Sequence, residues 1–310
     1  MPQNLREALR GRVPEQLLCK LRSFDIVGDI AVLRLPPELR PHARVIGEAL
    51  MRVHRHVRVV LNQTAPVSGE FRTRQLDHVA GERRTVTLHR ENGCIFRVDL
   101  ARVYFSPRLG TERLRVARLV RPGEVVTNLF AGVGCYSIEI ARHSQARRVY
   151  SIDLNPAAYE LMVENIRLNR VGDRVIPLLG DCRALVRTRL RGLADRVLMP
   201  LPELARDFLP TALEALKPTG GVIHFYDFGS DPDPFGPSAS FVREFVSTHG
   251  FSAEILSCRK VRSYAPRCYH VVIDVRVFSS PPVRAQIFPQ NSSQKDSEEP
   301  TCSRSLSSCS

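Results

Sequence analysis

The sequence predicts an α/β protein in which a doubly wound, mostly parallel sheet follows a smaller α+β module. Between residues 120 and 278, apolar runs typical of strands alternate with helical patterns at regular spacing, which indicates βαβ units. Near the end of this region two strand-like runs follow each other with no helix between them, so they must pair antiparallel. Together these patterns predict five parallel strands and a closing antiparallel pair, a seven-stranded sheet of the Rossmann kind.

Each element of this sheet has its own signature. The parallel strands are predicted at Val125–Phe130, Arg148–Asp153, Val175–Leu179, Asp195–Met199 and Gly221–Tyr226, and the closing pair at Ser252–Arg262 and Tyr269–Phe278. Ala158, Leu161, Met162 and Ile166 mark one face of a helix, and further helices are predicted at Glu203–Leu216 and Phe241–Thr248.

The leading part, residues 1–107, has a different pattern. The run from Phe24 to Leu35 predicts two strands around a turn at Val27-Gly28-Asp29. Further strands are predicted at Val57–Leu61, Thr85–His89 and Ile95–Leu100, with a helix near His42–His54. We therefore predict a small α+β module over residues 1–107, a catalytic domain over 108–278 and, because residues 279–310 are rich in Ser, Pro, Gln and Glu, a disordered tail.

Composition excludes several classes of protein. With 43% hydrophobic and 25% charged residues among 310, the chain is expected to be a soluble, core-forming protein. No apolar run approaches the roughly 18 residues that span a bilayer, and the charged N-terminus does not resemble a secretory signal. These two observations predict a cytoplasmic protein that does not bind a membrane. The eight cysteines are scattered with no zinc-ligand spacing, so no metal site is expected and most are expected to be buried thiols.

The net charge of +13 comes almost entirely from arginine, since only four of the 45 basic residues are lysines. One interpretation is a GC-rich genome, which favours arginine codons. The other is a phosphate-binding face, because guanidinium groups bind phosphate bidentately and a positive net charge attracts polyanions. Charge alone leaves both open.

A cofactor site is predicted at the carboxyl ends of the first three parallel strands. Asn128-Leu-Phe-Ala-Gly-Val-Gly134 ends the first strand, and its glycines allow the backbone to approach a ligand closely. Ser137 stands where a dinucleotide fingerprint needs its third glycine, which disfavours a nicotinamide cofactor. Asp153 ends the second strand, where a carboxylate can accept both ribose hydroxyls, and Asp181 ends the third, where it can accept from an adenine amino group or cap a helix. Three such features in register predict binding of S-adenosyl-L-methionine by a Rossmann-like, seven-stranded class I methyltransferase domain.

Further motifs make a resemblance specific. They are Ser68-Gly-Glu-Phe-Arg72, His89-Arg-Glu-Asn-Gly93, the run from Val98 through Gly110-Thr-Glu112-Arg113, Phe130-Ala-Gly-Val-Gly134, Asp153-Leu-Asn-Pro156 and Ser263-Tyr-Ala-Pro-Arg267. Over roughly residues 20–278 the chain resembles the archaeal-type tRNA (guanine-37 N1)-methyltransferases, which are related to the wybutosine-pathway aminocarboxypropyltransferases.

The resemblance implies roles for individual residues. Arg72 matches the arginine that hydrogen-bonds O6 of the target guanine, and Glu112 matches the acid proposed to take the N1 proton. Both roles are physically reasonable, because guanine N1 is protonated at neutral pH and negative charge develops at O6 as the proton leaves. Without the resemblance, Glu112 is simply an acid in the first turn of a helix and Arg72 a surface arginine. The resemblance also implies a cofactor-binding set: Arg108, Asn128, Phe130, Gly132, Gly134, Asp153, Leu154, Asp181 and Cys182.

Two positions depart from the family pattern. Asn128 stands where the family usually has aspartate, and an amide there can still orient the loop. Pro200, in Met199-Pro-Leu-Pro202, stands where the family has an asparagine that helps to hold the target base. Proline has no side-chain donor or acceptor, which predicts a slow enzyme.

Several arginines have spacings that suit a common surface. This set has two interpretations, a solvated charged face or, as we predict, a series of phosphate-binding side chains for tRNA. It consists of Arg83, Arg84, Arg90, Arg102, Arg113, Arg115, Arg118 and Arg121.

Three hypotheses for the function follow. They are methyl transfer to N1 of guanosine 37 in the anticodon arm by a monomeric enzyme, transfer of an aminocarboxypropyl group instead, or a tRNA-binding protein with weakened catalysis.

Overall fold

The computed structural model describes residues 4–279, and within that range the strands make up three sheets. The strands are β1 Asp25–Val27, β2 Ile30–Leu33, β3 Val59–Gln63, β4 Leu76–Gly81, β5 Val86–Glu91, β6 Cys94–Asp99, β7 Val125–Asn128, β8 Arg148–Asp153, β9 Val175–Leu179, β10 Arg196–Met199, β11 Gly220–Ser230, β12 Phe251–Ala265 and β13 Cys268–Ser279. The α-helices are α1 Leu5–Leu9, α2 Glu15–Leu18, α3 Ala43–Val53, α4 Gly110–Leu119, α5 Cys135–His143, α6 Pro156–Leu168, α7 Cys182–Leu185, α8 Ala205–Ala215 and α9 Gly236–Thr248.

The large sheet has the order β12-β13-β11-β10-β7-β8-β9, with β11, β10, β7, β8 and β9 parallel and β12 and β13 antiparallel. The predicted Rossmann-like, seven-stranded sheet is therefore confirmed. The fifth parallel strand, β11, runs four residues beyond its predicted end at Tyr226, because β13 pairs with it along its whole length from Gly220 to Ser230. The first, β7, stops two residues early at Asn128, because Leu129 and Phe130 already belong to the glycine loop.

The leading segment contains a second sheet of order β1-β2-β3-β4. The predicted tight turn between β1 and β2 is present, and Gly28 there has φ of +56°, where an added Cβ would lie 2.2 Å from Thr87 Oγ1. Strand β4 was not predicted from the sequence, because it contains only one buried residue, Ala80, and therefore shows no apolar alternation.

A hairpin of β5 and β6 joins the leading segment to the large sheet. Two asparagines of α6 and its C-cap hold the hairpin: Asn165 Oδ1 accepts from Arg97 N at 2.6 Å and Asn169 Oδ1 accepts from Ile95 N at 2.9 Å. Hydrophobic residues of β6, such as Phe96, share one core with Val126 of β7 and Met162 of α6. Residues 4–279 thus pack as one unit, and the domain boundary at residue 107 stays a proposal.

The predicted tail lies outside the described residues except for Ser279, which ends β13. Across residues 4–279 no helix is long and apolar enough to cross a membrane. The same residues contain no group of three or more His, Cys, Asp or Glu side chains arranged to hold a metal ion.

Candidate active site

A cleft of about 1030 Å³ lies at the carboxyl ends of β7, β8, β9 and β10 and faces the loop 64–74 of the leading segment. In an open α/β sheet, ligands bind at this edge. The cleft is lined by eight of the predicted site residues: Arg72, Arg108, Phe130, Gly132, Asp153, Leu154, Asp181 and Pro200. The structure does not place Glu112, Asn128, Gly134 or Cys182 on the cleft wall.

The glycine loop is shaped by backbone conformations that suit glycine. Gly132 has φ of +57° and Gly134 has φ of +90° at the N-cap of α5. A Cβ on Gly134 would lie 3.0 Å from Met162 Cγ, so a side chain there is both strained and crowded. Gly134 therefore packs against Met162 on the buried side of the loop, while Gly132 lines the cleft.

Asn128 also supports the loop rather than facing the cleft. It is fully buried, its Nδ2 donates to Ser137 Oγ at 3.2 Å, and its Oδ1 accepts from Phe130 N at 3.3 Å. An amide at this position therefore ties the end of β7 to α5.

Asp153 is the carboxylate that organises the cleft. Its Oδ2 accepts from Gly132 N at 2.6 Å, and its Oδ1 accepts from Asn155 N at 2.9 Å. Burial raises the pKa of Asp153, although these two backbone hydrogen bonds oppose the rise. The next residue, Leu154, is 41% exposed and lines the cleft, where it offers an apolar contact.

Asp181 both caps α7 and lines the cleft. Its Oδ1 accepts from Arg183 N at 2.6 Å and from Ala184 N at 3.4 Å, which is the helix-capping role considered for it from sequence. Cys182 is buried behind it, and burial raises the pKa of its thiol to about 12, so the thiol stays protonated. On the same wall, the rings of Phe130 and Phe208 pack edge to face at 4.9 Å.

Elsewhere on the cleft, Arg72 forms an ion pair with Glu203, with Nη1 2.6 Å from Oε2 and Nη2 2.8 Å from Oε1. The guanidinium also lies over the ring of Tyr104, 5.3 Å from its centroid. Pro200 lines the cleft just before Glu203 in the chain. Arg108 also lines the cleft, and its Nε donates to Asp25 Oδ1 at 2.6 Å.

Glu112 lies in the first turn of α4 and is only 7% exposed. Its Oε2 accepts from Arg115 Nε at 2.8 Å, and its Oε1 accepts from Arg115 Nη2 at 2.7 Å and from the Tyr226 hydroxyl at 2.8 Å. Both carboxylate oxygens are therefore engaged behind the cleft wall, and the structure does not bring Glu112 into contact with Arg72.

The prediction of phosphate-binding side chains is wrong for two of these arginines. Arg113 is 3% exposed and pairs with Glu91, while Arg115 bridges Glu112 and Asp274. Helical spacing could not show that this side of α4 faces the core. The cleft is instead lined by arginines that were not predicted from the sequence: Arg22, Arg34, Arg40, Arg74, Arg183 and Arg262.

His270, the third residue of β13, is a cleft residue for which the sequence offered no signal. It is 4% exposed, and neither ring nitrogen has a hydrogen-bond partner within the described chain. Burial, with the nearby Arg262 charge, lowers its pKa to about 4, so the imidazole is neutral at physiological pH. Buried polar groups in proteins are normally hydrogen-bonded, so these ring nitrogens can bond to an ordered water or to a ligand in the cleft.

Comparison with known proteins identifies the family to which this fold belongs. Residues 87–245 match the TRM5/TYW2 methyltransferase domain, and residues 5–85 match the TYW2 N-terminal domain. The chain belongs to the TRM5/TYW2 methyltransferase family. The resemblance inferred from the sequence motifs is thereby confirmed.

Two relatives illustrate the two branches of the TRM5/TYW2 family. The tRNA (guanine(37)-N(1))-methyltransferase Trm5b of Pyrococcus abyssi is 44% identical, over 89% of this chain and 81% of that protein. The tRNA(Phe) (4-demethylwyosine(37)-C(7)) aminocarboxypropyltransferase of Pyrococcus horikoshii is 35% identical, over 89% of this chain and 97% of that protein.

Solved structures agree with this assignment to the TRM5/TYW2 family. The crystal structure of Pyrococcus abyssi Trm5b matches with a TM-score of 0.79 at 42% identity, covering 90% of this chain and 82% of that one. A complex of aTrm5 with tRNALeu matches with a TM-score of 0.77 at 37% identity, covering 89% and 79%. Pyrococcus horikoshii TYW2 in complex with MeSAdo matches with a TM-score of 0.75 at 33% identity, covering 89% and 98%.

Proposed function

We propose that this protein is a tRNA (guanine(37)-N1)-methyltransferase, which transfers the methyl group of S-adenosyl-L-methionine to N1 of guanosine 37 in the anticodon loop. The identity to the Trm5b methyltransferases, 44% and 40%, exceeds the 35% and 34% identity to the aminocarboxypropyltransferases, and this difference carries the proposal.

The cleft fits the cofactor. The Gly132 backbone, the Asp153 carboxylate and the Asp181 carboxylate meet at one edge of the sheet, with Phe130 and Leu154 as apolar walls. Asp153 would accept from ribose hydroxyls, Asp181 from an adenine amino group, and Arg108 would face the charged end. When bound, S-adenosyl-L-methionine supplies an electrophilic methyl group on a sulfonium. A carboxylate already held by Gly132 N and Asn155 N needs little reorganisation to accept the ribose.

The target guanine would be flipped out of its stack to reach the cleft. Arg72 would donate to O6 and stabilise the negative charge that develops there when N1 loses its proton. Glu112 is proposed as the acceptor of that proton. Because both of its oxygens are engaged by Arg115 and Tyr226 in the free protein, this role requires tRNA binding to release one of them.

Binding of the tRNA backbone is proposed to use arginines at the cleft, above all Arg22, Arg40 and Arg183. Phosphate contacts position an RNA without reading its sequence, and guanidinium groups suit them. We propose a monomer acting in the cytoplasm.

A second candidate is aminocarboxypropyl transfer. It is favoured by the match of residues 5–85 to the TYW2 N-terminal domain and by Pro200, which replaces the base-holding asparagine of the methyltransferases. A tRNA-binding homologue with weakened catalysis is the third hypothesis.

One experiment separates the three. Purified protein is incubated separately with tRNA carrying guanosine 37 and with tRNA(Phe) carrying 4-demethylwyosine 37, which is the acceptor of the related aminocarboxypropyltransferases, and in each case with cofactor labelled either in the methyl carbon or in the carboxyl carbon. We expect tRNA to acquire the methyl label alone, and tRNA with adenosine at position 37 to acquire neither label. Incorporation of the carboxyl label would establish the second candidate. Binding of tRNA without either label would favour the third.

A further inference from the structure

The Arg72 guanidinium is held end-on by one carboxylate. Its two terminal nitrogens, Nη1 and Nη2, face the two oxygens of Glu203 at 2.6 and 2.8 Å. Arginine has five N–H donors in a rigid fork, so this arrangement leaves the edge that carries Nε–H and one further N–H free of Glu203. The free edge is the one suited to a second bidentate partner.

The ion pair joins two loops that are far apart in the chain. Arg72 lies in a tight turn in which its own N donates to Gly69 O at 3.1 Å, and its φ of +53° is uncommon for a residue with a side chain. Glu203 lies 131 residues later, in the turn between β10 and α8, immediately after Pro200-Leu201-Pro202. The pair therefore links the leading segment to the end of β10, where Pro200 departs from the family pattern.

The pair persists at neutral pH. Burial opposes ionisation of Glu203, but the hydrogen bonds and charge of Arg72 outweigh burial and hold the pKa of Glu203 below its usual value. The side chains are 29% and 35% exposed, so water screens the attraction only in part. The carboxylate thus restricts the guanidinium to one orientation before any RNA binds.

We propose that Glu203 is a positioning residue that directs Arg72 at O6 of the target guanine and so supplies part of the orientation that Pro200 cannot. The inference rests on the proposed function and deepens it. Two parallel N–H groups on the free edge of Arg72 match the O6 and N7 acceptors of guanine. Donors that are already oriented stabilise developing charge without reorganisation, whereas a small misplacement of a reacting group lowers the rate about 100-fold. Glu203 acts through Arg72 and not on the base.

A double-mutant cycle tests this role, because it measures whether Glu203 acts through Arg72. The variants are Glu203→Gln, Arg72→Ala and the two combined. We expect Glu203→Gln to lower the single-turnover rate of methyl transfer by roughly 10-fold to 100-fold, and to have no further effect when Arg72 is already alanine. Glu203→Asp, which keeps the charge, should recover part of the rate. Glu254→Gln is the matched control, since Glu254 forms an exposed ion pair with Arg276 at 3.2 Å on the outer strands; we expect it to change nothing.

The same variants can also be compared by tRNA binding alone, with no methyl transfer. The quantity measured is the affinity for tRNA with guanosine at position 37 divided by the affinity for tRNA with adenosine there. We expect Glu203→Gln and Arg72→Ala to lower this ratio, and the combined variant to lower it no more than Arg72→Ala does. Additive losses, or an unchanged ratio and rate in Glu203→Gln with the melting temperature retained, would overturn the proposal. If wild type transfers no methyl group, the proposed function fails, and the affinity ratio still decides the role of Glu203.

Discussion

Asp153→Ala removes the carboxylate around which the cofactor end of the cleft is built. In the free protein it leaves two backbone N–H groups without an acceptor, those of Gly132 at 2.6 Å and Asn155 at 2.9 Å. Hydrogen bonds to a charged acceptor each contribute about 1.5–3 kcal/mol, so the glycine loop is expected to loosen. In the bound state the variant also lacks the acceptor for the ribose hydroxyls. Since about 1.4 kcal/mol corresponds to tenfold in affinity, we expect S-adenosyl-L-methionine to bind at least about tenfold more weakly.

Calorimetric titration of the purified variant with S-adenosyl-L-methionine measures this loss of affinity. The control is Asp173→Ala, because the Asp173 side chain is 69% exposed and its ion pair is with the neighbouring Arg174. Burial raises the pKa of Asp153, and protonation removes the acceptor. Wild-type affinity should therefore fall on acidification at a higher pH than an ordinary aspartate would give, and the variant should lose that dependence. A variant that melts at a lower temperature yet binds with unchanged affinity would show that Asp153 only holds the loop, and that the cofactor lies elsewhere.

Four further predictions concern rate, stability and RNA binding. Glu112→Gln should keep tRNA affinity and lower the single-turnover rate roughly 100-fold, the usual scale for a general base; an unchanged rate would assign Glu112 only to packing with Arg115 and Tyr226. Pro200→Asn should raise that rate, and no gain would mean that another residue orients the base. Burial, with the neighbouring Glu91 carboxylate, raises the pKa of Glu139 from 4.5 to about 8, so the native state keeps a proton that the unfolded chain loses. The contribution of protonated Glu139 to the free energy of unfolding is complete below pH 4.5 and is lost as pH rises towards 8. The Glu139→Gln variant stays neutral, so its melting temperature relative to wild type should increase from pH 5 to 8, by on the order of 2–4 °C per pH unit at most. A difference in melting temperature that does not change with pH would contradict the raised pKa of Glu139. tRNA affinity in filter binding should fall by orders of magnitude from low to moderate salt, and a flat response would refute binding through phosphates.

The sequence by itself determined the sheet and the edge at which the cleft lies. Strand and helix patterns depend on neighbours a few residues apart, so the parallel strands β7 to β11 and the closing pair were predictable within a few residues. The glycines at 132 and 134 follow from local turn geometry, and their φ angles are positive in the structure. Asp153 and Asp181 could be placed on the cleft because the carboxyl ends of parallel strands meet at one edge.

Tertiary structure decided which charged groups are free to act. Arg113 and Arg115 have a spacing that suits a common surface, yet each is held by carboxylates on other elements, Glu91 on β5 and Asp274 on β13. The ion pair of Arg72 and Glu203 cannot be read from local sequence, and neither can the buried ring of His270, whose nitrogens have no hydrogen-bond partner among residues 4–279. Both environments are set by the packing of distant segments. Periodicity records which face of an element is apolar, whereas an ion pair depends on the position of two side chains in space, and only the folded chain brings residues 131 positions apart to 2.6 Å.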